Sequence, residues 1–179
     1  MSNKIKKAII SISDKSEIKL VLNILRKYKV NILSSGGTSK EINKLGFKCT
    51  DISKYTKTDE ILGGRVKTLH PKLYAGILSK RDNKNHKKEL KKNNYEEIDL
   101  VIVNFYPFEE ILNKTKNHNK LIENIDVGGP TLVRAAAKNY KYTTVLTSPN
   151  QYKEFISDLE KNKGSTSLEL RKRLSREAF

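Results

Sequence analysis

The chain has 179 residues, 36% of them hydrophobic, a single cysteine (Cys49) and a formal net charge of +16. That length fits one domain with an ordinary core. It holds no apolar run near the ~20 residues of a membrane span, no signal-like N-terminal segment and no internal disulfide, which together fit a cytoplasmic protein away from membranes. The charge comes from 29 lysines against 7 arginines, and the most basic stretch, Lys80 to Asn94, has no interleaved aromatics to stack on bases. It reads as a solvated face and excludes a nucleic-acid surface as the first explanation.

In chain order, Lys7 to Ser11 is a short buried strand. Asp14 with Glu17 three residues on resembles a capping box, and Ile18, Val21, Leu22, Leu25 and Tyr28 follow at helical spacing. Val30 to Leu33 is a second strand. Thr38 with Glu41 marks another helix start, with Ile42 and Leu45 inward, and Phe47 to Ile52 is a third strand. Ser53 to Leu78 is irregular. Asn83 to Asn94 is an exposed helix, and Ile98 to Val103 is the most apolar strand and should be central. Pro107 opens a helix with Phe108, Ile111 and Leu112 on one side. Asp126-Val127-Gly128-Gly129-Pro130 opens another, with Pro130 at its first position, running to about Asn139. Thr143 to Leu146 is a last strand, and 151–161 and 167–178 are helical. Strands alternating with helices imply an α/β fold: a doubly wound, mainly parallel sheet flanked by helices.

In such a sheet, ligands bind beyond the carboxyl ends of the strands. Polar clusters fall there: Ser11, Ser13 and Lys15; Ser35, Gly36, Gly37 and Thr38; Asn104 and Tyr106. Ser-Gly-Gly-Thr at a helix start can cradle a phosphate on backbone N–H groups, although a plain glycine turn looks the same. It is neither GxGxxG nor GxxxxGK[ST], so neither a dinucleotide nor an ATP-type nucleotide is favoured. Thr131, Arg134 and Lys138 share a helical face, which would also suit solvent. Asp126 is a helix cap, or a reactive carboxylate if Lys138 and Tyr106 converge on it. His70, His86 and His118 are scattered and form no metal-ligand pattern with Cys49.

Five motifs then stand in order: SISDKSE (11–17), SSGGTSKEI (34–42), GGRVKTLHP (63–71), VNFYPF (103–108) and IDVGGPTLVRAAAKN (125–139). Together they resemble the N-terminal, inosine monophosphate (IMP) cyclohydrolase domain of the bifunctional purine-biosynthesis enzymes, whose fold is methylglyoxal-synthase-like. The resemblance implies closure of 5-formamidoimidazole-4-carboxamide ribotide to IMP with loss of water. No metal or organic cofactor is implied for that step. A formyl-tetrahydrofolate donor would serve only the transformylase domain, which this chain lacks. The resemblance also implies a homodimer, and a cyclohydrolase domain that runs somewhat past residue 179.

By the same resemblance, Ser11, Ser13, Lys15, Ser35, Gly36, Gly37, Thr38, Arg65 and Thr68 hold the phosphate and ribose end. Lys67, Tyr106, Asp126 and Lys138 surround the reacting end, with Lys67 stabilising the oxyanion and Asp126 relaying the proton. Asn104 and the backbone near Gly128 orient the carboxamide, while His70 and Pro71 shape the loop. Tyr74 and Tyr140 stand where relatives usually carry histidine and are expected to tune packing. The alternatives are a ligand-sensing regulatory domain of the same fold, as in carbamoyl phosphate synthetases, and methylglyoxal synthase, whose pattern lacks GRVKTLHP.

Overall fold

Two strands with almost no polar residues organise the molecule. The structure, a computed structural model, describes residues 4–105, 112–113 and 115–179. β1 (Lys7–Ile12, KAIISI) and β4 (Leu100–Asn104, LVIVN) lie side by side, with Ile10 opposite Ile102 and Ile12 opposite Asn104. β2 (Asn31–Ser34) and β3 (Thr50–Asp51) continue the sheet on one side and β5 (Thr144–Leu146) on the other, in the order β3-β2-β1-β4-β5. Every pairing is parallel. Strands apolar on both faces need helices on both faces. The expected α/β parallel sheet is therefore what these residues build.

The helices are α1 (Ile18–Lys27), α2 (Gly36–Lys44), α3 (Ile52–Thr56), α4 (Pro71–Leu78), α5 (Lys84–Lys92), α6 (His118–Glu123), α7 (Gly128–Lys138), α8 (Tyr152–Lys161) and α9 (Leu168–Ala178). α1 buries Ile18, Val21, Leu22 and Leu25 and packs near α8, whose Tyr152 and Phe155 are among the largest fully buried side chains. α7 lies on β4 and β5 and is flanked by α4 and α9. Truncating a fully buried leucine here, such as Leu22 or Leu73, costs ~2–5 kcal/mol by lost transfer energy and the cavity left behind.

Local readings differ from this structure at five places. The third strand, read from Phe47 to Ile52, is only Thr50–Asp51, because Ile52 already opens α3. α1 has no capping box: Glu17 is left-handed at φ 56 with no side-chain cap bond, and Asp14 Oδ1 accepts from Ser16 N at 2.8 Å. α2 starts at Gly36, ahead of Thr38, whose hydroxyl accepts from Ile12 N (3.1 Å) and donates to Ile12 O (3.0 Å). The stretch read as irregular contains α3 and α4. α4 begins with His70 Nδ1 accepting from Lys72 N at 3.1 Å and Pro71 in the first turn. It buries Leu73, Gly76 and Ile77, and its lack of a long polar face hid it from a periodicity reading. α7 starts at Gly128, so Pro130 is its third residue. The helix read from Pro107 lies outside the described residues.

Candidate active site

The strand order reverses at β1 and β4, so the crevice at a switch point of the sheet opens beyond their carboxyl ends. Asn104 closes β4 and holds the loop after β1. Its Oδ1 accepts from Ser13 N (2.7 Å), Ser13 Oγ (3.0 Å) and Asp14 N (2.9 Å), and its Nδ2 donates to Asp14 O (2.9 Å). The amide expected to orient a carboxamide also shapes the Ser11–Lys15 loop, with one of its two Nδ2 N–H groups used on Asp14 O. Ser13 Oγ also donates to Phe105 O, and Lys15 Nζ donates to Ser13 O at 3.3 Å. Tyr152 lies fully buried beneath this loop. Burial pushes its phenol up to about 12, with Asp14 adding to the push and Asn104 opposing it.

The neighbouring strand end delivers the start of α2. Gly36 sits at φ +55, a conformation that suits glycine, and space is open around Gly37, where an added Cβ would meet nothing within 4 Å. The first backbone N–H groups of α2 have no partner within the helix and carry the positive end of its dipole. Ser35 is buried as the N-cap, and Thr38 is committed to Ile12. Lys67 reaches across from the glycine loop, its Nζ 3.7 Å from where a Cβ on Gly36 would stand.

A cavity of about 580 Å³ runs from there between the 63–68 loop and the start of α7, lined by Ser11, Arg65, Lys67, Thr68, Asp126 and Gly128 among others. The two walls fit tightly. A Cβ on Gly128 would come 2.3 Å from Thr68 Oγ1, and one on Gly129 would come 2.3 Å from Asp126 Oδ2. Asp126 Oδ1 accepts from Gly129 N at 2.9 Å, so the carboxylate caps the first turn of α7 while it faces the cavity. Arg65 is ion-paired with Glu123 at the end of α6, with Nε to Oε2 at 3.2 Å. The guanidinium holds the Glu123 carboxyl below its ordinary value, and Glu123 raises Arg65 in turn.

Lys138 does not converge on Asp126. It closes α7 at the far end, about 15 Å along the axis from Gly128 at 1.5 Å per residue. α7 returns toward the amino-terminal edge of the sheet, where Asn139 Nδ2 donates to Ile77 O and Ser79 O. Tyr106 lies outside the described residues. Arg134 stacks on the Phe179 ring at 4.2 Å.

Residues 16–131 match the family model of the MGS-like domain. The chain belongs to the MGS-like domain family. Residues 136–179 match the model of the AICARFT/IMPCHase bienzyme. The bifunctional purine biosynthesis protein PurH of Persephonella marina is 45% identical over 174 residues, covering 97% of this chain and 34% of that protein. The PurH of Agrobacterium fabrum is 43% identical over 176 residues, covering 98% and 33%. This MGS-like chain therefore spans about a third of the length of those curated relatives. A solved structure described as the crystal structure of ForH superposes with a TM-score of 0.86 at 28% identity, covering 98% of this chain and 92% of that one.

Three residues of this MGS-like domain escaped the sequence reading. Glu123 was hidden in a polar stretch. Glu60 Oε2 lies 3.2 Å from a Cβ built on Gly64, beside the glycine loop. Helical spacing places Thr131 only on a face, and in the structure its hydroxyl meets Tyr74 Oη at 2.7 Å. None of these had a spacing signal, because each partner lies 57 or more residues away or within an irregular loop. Among the described residues, no three or more His, Cys, Asp or Glu gather as a metal site, and no helix is long and apolar enough to cross a membrane.

Proposed function

We propose that this chain is the IMP cyclohydrolase portion of a bifunctional purine-biosynthesis enzyme and closes 5-formamidoimidazole-4-carboxamide ribotide to IMP with loss of water. The observation that carries the reading is one cavity lined by both Lys67 and Asp126, beside the open start of α2. A sensing domain of the same fold would need the anion cradle alone. The PurH relatives and the bienzyme match support the enzyme over that alternative.

The phosphate sits at the start of α2, with Ser11, Ser13, Lys15, Ser35, Gly36, Gly37 and Arg65 around it. Thr38 and Asn104 act by shaping the two strand-end loops. The carboxamide nitrogen is a poor nucleophile, so holding it against the formyl carbon is the first requirement. As the N–C bond forms, the carbonyl electron pair moves onto the formyl oxygen, where the Lys67 ammonium stabilises it. Asp126 takes the proton leaving the nitrogen. Asp126 returns that proton to the oxyanion, and a second proton reaches the oxygen from the formamido N–H. The C–O bond then breaks, the oxygen departs as water, and the formamido nitrogen forms the C=N bond that makes the ring aromatic. The step needs no metal or organic cofactor; a formyl-tetrahydrofolate donor belongs to the formyltransferase portion of the longer protein. The family resemblance assigns Tyr106 to the reacting end as well. Lys138 can join it only from a second copy of the chain, which gives the proposed homodimer a chemical role.

The rise in ultraviolet absorbance on purine formation tests this directly. The parent chain should convert the formamido ribotide to IMP, and Lys67→Ala should lose ~10²–10³ in turnover, as for other removed oxyanion donors. A folded parent that neither turns over the ribotide nor binds IMP would refute the reading.

A further inference from the structure

The cavity has two walls that come from different parts of the chain, and something must set the gap between them. One wall, Lys67 and Thr68, is joined rigidly to α4: His70 N donates to Thr68 O at 3.0 Å, and His70 Nδ1 caps the helix by accepting from Lys72 N. The other wall, Asp126 to Gly129, is the entry to α7. At the cavity itself the walls touch through Thr68 and Gly128 and through the exposed Arg65–Glu123 pair. Behind the cavity, α4 and α7 pack side by side, and a half-buried polar link joins them there.

That link is Tyr74 on α4. Its hydroxyl lies 2.7 Å from Thr131 Oγ1 on the first turn of α7. Thr131 has one hydroxyl proton, and its oxygen lies 3.0 Å from Val127 O and 2.9 Å from Gly128 O, both of which can only accept. The Thr131 proton therefore goes into its own helix turn, and Tyr74 must be the donor to Thr131. The result is a directed chain from the Tyr74 phenol through Thr131 to the carbonyls of Val127 and Gly128, two residues at the cavity edge. Burial raises the phenol above its ordinary value, and the Asp126 carboxylate adds to it. The donor proton stays in place at neutral pH.

We propose that Tyr74 is a positioning residue for ring closure: through Thr131 it clamps α4 to the first turn of α7 and fixes Lys67 and Thr68 at their working distance from Asp126. The inference rests on the cyclohydrolase reading for its catalytic consequence, though the clamp itself does not. Phosphate binding should change less than turnover, because most of its cradle, the start of α2 and the loop after β1, belongs to other elements and only Arg65 and Thr68 reach it from the clamped loop. Tyr74→Phe removes the donor and leaves Thr131 still donating into its turn, so no buried donor is orphaned and the fold should survive.

The experiment compares parent, Tyr74→Phe, Thr131→Val and the double variant. Steady-state turnover of the formamido ribotide, the thermal midpoint and amide hydrogen exchange across 128–132 are measured on each. Tyr74→Phe should lower kcat ~10-fold and change KM less than ~3-fold, because a misplacement of a fraction of an ångström falls on the reacting groups alone. Exchange at the Gly129 amide, which is bonded to Asp126, should quicken while the rest of the chain keeps its protection. The double variant should be no worse than the more damaging single one, as expected for two members of one link. Unchanged kcat, or unchanged exchange at 128–132, would overturn the clamp. So would losses that add in the double variant, or a kcat loss that only tracks the thermal midpoint. If the folded parent neither turns over the ribotide nor binds IMP, the cyclohydrolase reading fails, and the exchange data alone still decide whether Tyr74 holds the α7 entry.

Discussion

A methyl group added at Gly129 would stand 2.3 Å from Asp126 Oδ2 and 3.1 Å from Val103 Cγ1. Gly129 is buried in the first turn of α7 with helical backbone, so alanine fits its dihedrals, and helix propensity alone would gain ~1 kcal/mol. One neighbour must give way. Val103 is 1% exposed in the central strand β4 and cannot. Asp126 is half-exposed and can. Ordinary contact begins near 3.4 Å, so Oδ2 must retreat by about 1 Å (3.4 − 2.3). That motion also breaks the 2.9 Å bond from Gly129 N to Oδ1. Overpacking typically costs ~1–3 kcal/mol; set against the propensity gain, the net loss of stability is ~0–2 kcal/mol. Catalysis should suffer far more, since ~1 Å of misplacement in a reacting group costs ~10²-fold. Gly129→Ala should therefore stay folded, bind IMP within a few-fold of the parent and lose ~10²-fold in kcat. Turnover, calorimetric binding of IMP and a thermal melt on the same preparation separate these effects. A kcat within twofold of the parent would show that Asp126 is not at the reacting end, or that the α7 entry yields without moving it.

Two further outcomes follow from the charges and phenols around the site. Glu123→Gln frees Arg65 from its carboxylate partner, so calorimetry should show IMP binding tightened, by no more than ~5-fold because exposed ion pairs are weak; weaker binding would mean that Glu123 holds Arg65 in place for the ligand. Tyr152 is fully buried, with its phenol raised from 10.0 to about 12. A raised value means the native state holds its proton longer than the unfolded chain does, so its contribution is intact below about pH 10 and is lost progressively toward pH 12. Tyr152→Phe should flatten the alkaline fall of the thermal midpoint in that window, and an unchanged slope would place the loss elsewhere.

The sequence by itself determined the frame. LVIVN and KAIIS are apolar at every position but their ends and short, with turn residues after them, which reads as buried strands; alternating with helical segments, they made the parallel sheet legible without coordinates. The polar clusters followed those runs directly, which put Ser11, Gly36 and Asn104 at one edge. What tertiary structure decided is who meets whom. Periodicity cannot see that α7 is long enough to carry Lys138 away from Asp126, that Asn104 holds the loop after β1, or that Thr38 ties α2 to Ile12. Nor can it see Arg65 paired with Glu123, or Tyr74 with Thr131, across 58 and 57 residues. Local pattern follows from dihedral preference and burial, which act within a few residues. The site is made of contacts whose partners are chosen only when the sheet order and helix packing bring distant segments together.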